Sequence, residues 1–364
     1  AFTPMIPFMA EQAGLTEDVA GWLAGLNYVG YLLGTLIVAR TSSLVRKDTL
    51  YRGGLWVAVL TTLMMAITSS VWVWAASRFF AGLATAAGLL AGSGLVMQWR
   101  IALGQRPELG MHFSGSGAGI VLGAAMVALT AGYASWSGQW VWLSALGACC
   151  LVPALAWLPR ATALPPPRTT SSAAAAAAPS RRWMNLLKVA YALSGFGYVV
   201  SATFLVAHIE SQPALQGQGV LAWLLVGLAS TPAPVIWDRV ARARGYLWTL
   251  KLNFWLLAGC ICLPVLSGGL WAALAGALIY GLTFIGIVSL MLTLVGRLFP
   301  TRAGEVMAEL TLGFCIAQIV GPVVAGELAV ITGTFEGSLL ATAVIMLVGA
   351  GCLQAMGSER SATP

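Results

Sequence analysis

Charge is what this sequence has least of. Only 9% of its 364 residues are Asp, Glu, Lys or Arg, against about 25% in a soluble domain. So little charge cannot clothe a water-facing globule. Histidine occurs twice, at His112 and His208, and no cluster of metal-ligating side chains forms along the chain. The six cysteines (Cys149, Cys150, Cys260, Cys262, Cys315 and Cys352) contain no CxxC pair and all fall in apolar stretches. That pattern excludes a disulfide framework and leaves small buried side chains as the reading. There is no P-loop or strand-led glycine motif to cradle a phosphate, no nucleophile triad and no soluble effector segment. No cofactor is implied. A basic patch interleaved with aromatics is also missing, so the net charge of +7 points away from nucleic acid.

What is present is apolar length. Hydrophobic residues make up 59% of the chain, and about 20 in a row carry a helix across a bilayer. The pattern predicts an all-α polytopic membrane protein with spans at about 1–13, 20–41, 50–69, 71–99, 109–133, 137–158, 184–209, 219–237, 246–266, 270–298, 305–331 and 337–356. The first is short, and without an initiator Met the chain is expected to begin inside a helix truncated at its N-terminus rather than at a signal peptide. All of the nineteen Lys and Arg except Arg78 lie in or beside alternate gaps: Arg46-Lys47, Arg106, Arg160 to Arg182, Arg239 to Arg244, Arg297-Arg302 and the tail at Arg360. The gaps at Glu17-Asp18, Ser69-Ser70, Ser135-Trp136, Glu210, Ser267-Gly268 and Glu336 hold no positive charge. Basic loops stay in the cytoplasm, so the expectation is twelve spans in a bacterial inner membrane with both termini cytoplasmic. Trp22, Trp72, Trp136, Trp157, Trp183 and Trp271 stand near helix ends, as an interfacial belt requires. Lipid headgroups account for the surplus of basic residues.

The longest polar interruption contains Pro165-Pro166-Pro167, a Thr/Ser run, six alanines and Arg181-Arg182; such composition makes a tether. It divides the chain into an N-terminal six-helix bundle (1–158), a cytoplasmic linker (159–183) and a C-terminal six-helix bundle (184–364). Ser114 to Gly123 repeats as Leu312 to Gly321 at an offset of 198, and Val29-Gly30 repeats as Val226-Gly227 at 197. Two segments with nearly one offset point to a duplicated unit, an arrangement used by one large transporter class.

With these residues in view, the chain resembles the major facilitator superfamily over its whole length. Arg78 to Gly82 with Gly88 is similar to that superfamily's fourth-helix signature. Gly313 to Pro322 with Gly326 resembles its Gly-Pro signature, and Asp238-Arg239 with Arg242, Arg244 and Gly245 its Asp-Arg loop signature; Arg40 to Asp48 departs from that pattern. Thr3 to Pro7, Asn27 to Tyr31, Gly195 to Tyr198 and Gln318 to Pro322 resemble the YbfB-like branch. The resemblance implies two pseudo-symmetric six-helix bundles and transport by alternating access. It also implies that Asp238, Arg239 and Arg242 form a conformational latch in a cytoplasmic loop.

Ionisable groups at membrane depth are costly and are functional candidates by default. Arg78 lies about 10 Å below its helix end at 1.5 Å per residue. Two readings stay open for it: attraction of an anionic substrate, or a structural role near the first helix. His112 and Glu309 fall at matched height by the repeat, and burial brings imidazoles and carboxylic acids closer in proton affinity. They are the proton-coupling candidates; the alternative is that Glu309 bridges to Arg302 and His112 caps a backbone group. Tyr191, Ser194, Tyr198, Ser201 and His208 share one helical face. Asn27, Tyr31, Arg78, Ser116, Tyr198, Ser201, Tyr280, Thr283 and Gln318 are the expected cavity residues, although a Tyr/Ser stripe can equally be interhelical glue. Aromatic walls with few fixed charges suit a small, partly apolar organic solute. The expectation is a monomeric, proton-driven secondary transporter and not an enzyme. Met5 and Met9 one turn apart, with Met111 beside His112, leave a copper-type importer as an alternative; a non-transporting sensor is another.

Overall fold

In the computed structural model the described residues are 2–163, 179–211, 219–267, 269–332 and 335–357, without the side chains of Glu17, 203–211, 219–220 and Phe335. His208 therefore lies outside the described side chains. The described residues form fourteen α-helices and no strand. They are α1 (Phe2–Ala13), α2 (Glu17–Ala39), α3 (Leu44–Ile67), α4 (Val71–Ala86), α5 (Gly92–Ala102), α6 (Gly110–Thr130), α7 (Trp136–Trp157), α8 (Arg181–Ser211), α9 (Gly219–Ser230), α10 (Ala233–Arg244), α11 (Tyr246–Ser267), α12 (Gly269–Leu298), α13 (Ala303–Thr332) and α14 (Phe335–Ala355).

Nine helical segments among the described residues are long and apolar enough to cross a membrane. One of them, Val71–Ala102, is α4 and α5 joined through a π-helical turn at Ala87–Ala91. The α9–α10 pair makes a tenth segment, bent by 42° where Thr231 and Pro232 intervene. Pro232 supplies no backbone N–H to carry the helix through, so the axis turns there.

Two sequence-predicted loops are helical. α3 begins at Leu44, six residues before the expected start, because Ser43 caps it by accepting from the Arg46 amide at 3.4 Å. Lys47 and Asp48 thus enter its first turns. α10 runs to Arg244, so Asp238, Arg239 and Arg242 stand on a helix and not in a loop. Gly245, with φ of 89°, ends that helix, and its freedom at positive φ lets α11 start at the next residue.

The chain divides into two compact units. One gathers Ala1–Gln105, Ile120–Pro166 and Phe299–Glu309; the other gathers Arg106–Gly119, Pro167–Leu298 and Leu310–Pro364. Relative to a plain division at the linker, each unit takes in one short segment from the far side of it, 106–119 or 299–309. The division falls inside α6 and α13.

In the first unit α2 packs on α4 at backbone distance. A Cβ added at Gly82 would collide with the Asn27 carbonyl, and one at Gly30 with the Phe79 carbonyl. Small residues permit such approach where lipid gives helices no hydrophobic drive to associate. A sulfur- and indole-rich core lies beside this crossing: Met5, Met9, Leu23, Met65, Trp74 and Trp140 are buried together. Trp140 donates its indole N–H to the Met9 sulfur at 3.4 Å. Met5 and Met9 are packing residues of this core.

In the second unit α9 and α12 repeat the crossing. Gly281 lies against the Val226 carbonyl as Gly82 lies against that of Asn27, at an offset within two positions of the sequence repeat. α8, α11 and α14 pack alongside, with Gly349 seated on the Phe254 ring and Gly197 on Met346.

Candidate functional site

In the first unit the α2–α4 crossing sets the position of Arg78. The Asn27 amide donates to the Arg78 carbonyl at 3.0 Å, tying the two helices at the Arg turn. The guanidinium stands 5.2 Å from the Phe2 ring centroid and 6.0 Å from that of Trp140. Its Nε is buried with no hydrogen-bond partner among the described residues. Aromatic faces attract the cation but offer no acceptor, so hydrogen-bonding capacity is left for an anionic or carbonyl group. Tyr31 is buried on α2, its carbonyl accepting from Thr35 at 2.8 Å.

The second unit holds an aromatic wall. Tyr280 stacks on Phe284 at 4.9 Å, Tyr198 on Phe284 at 5.2 Å, and Tyr191 on Phe314 at 4.7 Å. The Tyr280 hydroxyl donates to the Tyr198 carbonyl at 2.9 Å, fixing α12 to α8. Ser201 and Gln318 are 2% and 4% exposed, and Ser201 Oγ and Gln318 Oε1 have no partner among the described residues. Buried polar atoms are nearly always satisfied, so each of these two atoms has a bond that a solute could supply. Ser201 and Tyr280 line a small void with Cys260, Gly276 and Leu339. Thr283 instead spends its hydroxyl on the carbonyls of Ile279 and Tyr280 in its own helix. Ser116 is half-buried on α6.

The helix ends that carry the basic residues are tied down in each unit. In the second, Asp238 accepts the Gly110 amide at 2.8 Å. Gly110 opens α6, so the carboxylate lies at a helix N-terminus, where negative charge is favoured. A Cβ at Gly110 would run into that carboxylate; only glycine admits it. The Leu109 amide donates to the Thr293 hydroxyl at 3.2 Å, and Arg242 pairs with Glu108 at 2.8 Å. A cavity of about 520 Å³ beside these pairs is lined by Arg106, Arg242, Arg297, Tyr246 and Glu108. Arg239 is exposed to solvent.

The first unit uses the opposite polarity. Lys47, nearly fully buried, reaches Glu305 in the first turn of α13 at 3.6 Å, and Arg302 reaches the same carboxylate at 3.0 Å. Gly94 lies on Gly304, and Gln98 donates to the Pro300 carbonyl. Glu309 pairs with Arg302 at 3.7 Å and is 41% exposed at its side chain, the bridging arrangement that the sequence left open. His112 is half-buried in the second unit, its ring edge-on to Phe113.

Sequence reasoning missed Lys47, Glu108, Gly110 and Glu305. The available signals were weak: Glu108 closely precedes a helix start, and Glu305 lies in a first turn.

A family model described as "Uncharacterised MFS-type transporter YbfB" matches residues 1–354. The Bacillus subtilis (strain 168) protein described as an uncharacterized MFS-type transporter, YceJ, is 24% identical over 354 residues, covering 95% of this chain and 89% of its own length. The Schizosaccharomyces pombe uncharacterized transporter mfc1 is 28% identical over 142 residues, 39% of this chain and 28% of its own length. Among solved structures, the human organic anion transporter MFSD10 superposes with a TM-score of 0.64 at 19% identity, covering 97% of this chain and 89% of that one.

Proposed function

The chain belongs to the YbfB-type branch of the major facilitator superfamily, and from that premise we propose that this multi-pass membrane transporter moves a small, partly apolar organic solute across a bacterial inner membrane by proton-coupled alternating access. The observation that carries the reading is the borrowed segment in each unit. Segment 106–119 is held by Asp238 and Arg242, and segment 299–309 by Lys47. Alternating access requires one membrane face to open while the other stays shut, and these ties are the bonds that opening would break. A buried charge-assisted bond is worth about 1.5–3 kcal/mol, small enough to be exchanged for solute binding within a transport cycle. The basic gaps support a cytoplasmic position for this face.

For the solute, the stacked wall of Tyr198, Tyr280 and Phe284 supports an apolar or aromatic body. Ser201 and Gln318 supply polar points of attachment. A second reading adds a carboxylate to the solute: the Arg78 guanidinium lies over Phe2 and Trp140 with Nε unpartnered, which is how a site waits for an anion. His112 and Glu309 are the proposed proton carriers, Glu309 exchanging Arg302 for a proton.

The test is flux into proteoliposomes containing the purified protein. Aryl and alkyl carboxylates are offered with and without an imposed pH gradient. Uptake that rises with the gradient and competes among these compounds supports the proposal. Saturable uptake that ignores the gradient would remove proton coupling. Failure of every partly apolar solute, with success of a sugar or phosphate ester, would overturn the substrate class.

A further inference from the structure

A second site lies away from these groups, within the first unit, at the junction of α3 with the end of α7. A cavity of about 550 Å³ is lined by Thr49, Arg52, Gly53, Trp56, Leu158 and Arg160. Directly adjoining it, a groove of about 290 Å³ runs between α2, α3 and α4 past Gly34, Ile37, Leu50, Val57 and Leu83. Thr49 and Gly53 line both. The cavity is half polar in its walls, whereas the groove is apolar along its length. A polar chamber opening into an apolar channel has the shape of an amphiphile with one tail.

The charges narrow the choice. Arg52 is fully committed: it pairs with Asp48 at 2.8 Å and donates to the carbonyls of Leu155 and Leu158 at 2.8 and 2.7 Å. Those bonds stitch α3 to the end of α7 and build the chamber wall. Asp48 also accepts the Ala161 amide at 3.4 Å, so the Asp48–Arg52 pair is neutral and internally satisfied. Arg160 is what remains, an exposed cation at the rim. One uncompensated positive charge matches a headgroup of net charge −1; a choline headgroup has the same phosphodiester but brings its own cation towards Arg160. Depth agrees, because Trp56 is 54% exposed and Trp157 is 83% exposed beside the chamber, and tryptophan favours headgroup level.

We propose that this paired chamber and groove bind one anionic phospholipid, its phosphodiester on Arg160 and one acyl chain along the groove past Gly53. Gly53 is the threshold between the two parts. A Cβ built there meets nothing within 4 Å, so a side chain can start into the passage without a collision at its first atom, and losing a helical glycine favours the fold.

The experiment is native mass spectrometry and thermal unfolding of the purified full chain in detergent, titrated with phosphatidylglycerol or phosphatidylcholine. The wild type is expected to retain one phosphatidylglycerol about tenfold more tightly than phosphatidylcholine, whose ammonium opposes Arg160. Arg160→Glu should erase that preference while leaving tail binding. Gly53→Phe should weaken both lipids alike while keeping the melting temperature of the lipid-free protein. Equal retention of the two lipids by the wild type would overturn the proposal, as would unchanged phosphatidylglycerol binding in both variants. Stabilisation by glycerol phosphate equal to that by the lipid would assign the chamber to a soluble anion instead. A doubled mass that Gly53→Phe abolishes would assign the groove to a second copy of the chain.

Discussion

Arg78 keeps its charge over the faces of Phe2 and Trp140 while Asn27 fixes its backbone. Replacing it with Leu should leave the first unit folded, since the π contacts are worth about 0.5–2 kcal/mol. The same change should abolish uptake of carboxylate solutes in proteoliposomes; full uptake by Arg78→Leu would return the residue to a packing role. Ser201 offers a sharper residue-level comparison. Its buried hydroxyl has no partner among the described residues, so Ser201→Ala should hold or raise stability, by up to about 1 kcal/mol, because an unsatisfied buried group carries a penalty. Tyr280→Phe removes a real bond to the Tyr198 carbonyl and should cost about 1 kcal/mol. Thermal unfolding in detergent measures both, and a larger loss for Ser201→Ala than for Tyr280→Phe would contradict the assignment. At this scale the sequence shows residue types well and partners poorly. Arg78 stood out as the one cation outside the basic gaps, yet the rings it rests on come from α1 and α7, remote in the chain. Glu309 and Arg302 could be paired by spacing, being neighbours on one helix start. Lys47 and Glu305 could not.

Among elements, the glycines divide into two kinds that look alike in the sequence. Gly82 and Gly281 lie against carbonyls of a crossing helix, whereas Gly53 faces open space. Gly82→Leu and Gly281→Leu should therefore force helices apart and cost at least about 1–3 kcal/mol, while Gly53→Ala should be neutral or slightly stabilising. Equal melting temperatures across the three would mean the close crossings do not exist. The ends of α6 and α13 are held by devices of opposite sign, a carboxylate on an amide in one case and a lysine on a carboxylate in the other. Asp238→Asn keeps an acceptor for the Gly110 amide but removes the charge that a helix N-terminus favours. A loss of about 1.4 kcal/mol there is tenfold in the open population. The expected outcome is about tenfold faster maleimide labelling of a cysteine placed at buried Ser289, whose hydroxyl has no partner among the described residues, in an otherwise cysteine-free protein. Unchanged labelling would dismiss the latch. The Asp-Arg signature pointed to this helix end. That α10 continues through it was hidden, because the arginines after Trp237 read as a basic gap between spans, whereas the helix runs on to Arg244 and ends at Gly245.

For the molecule as a whole, the proposed cycle couples release of segments 106–119 and 299–309 to binding of solute and proton. Glu309→Gln cannot exchange Arg302 for a proton, and with His112→Ala it should reduce pH-driven uptake at least about tenfold, the scale of one proton-dependent bond at about 1.4 kcal/mol, while exchange without a gradient persists. The readout is gradient-driven against gradient-free flux in the same vesicles; retention of both by the double variant would move coupling elsewhere. Membrane residence, the order of helices and the family all followed from the chain itself, because lipid demands long apolar runs whose backbone bonds close locally, and because charge bias and glycine spacing are written in one dimension. The sharing of α6 and α13 between two compact units, the ring bed beneath Arg78, the ties at the starts of α6 and α13 and the chamber at Arg160 were decided only in three dimensions. Each joins residues from far-separated helices, and the energy of such contacts depends on how close the backbones can come, a distance set by the fold and not by any local pattern of residues.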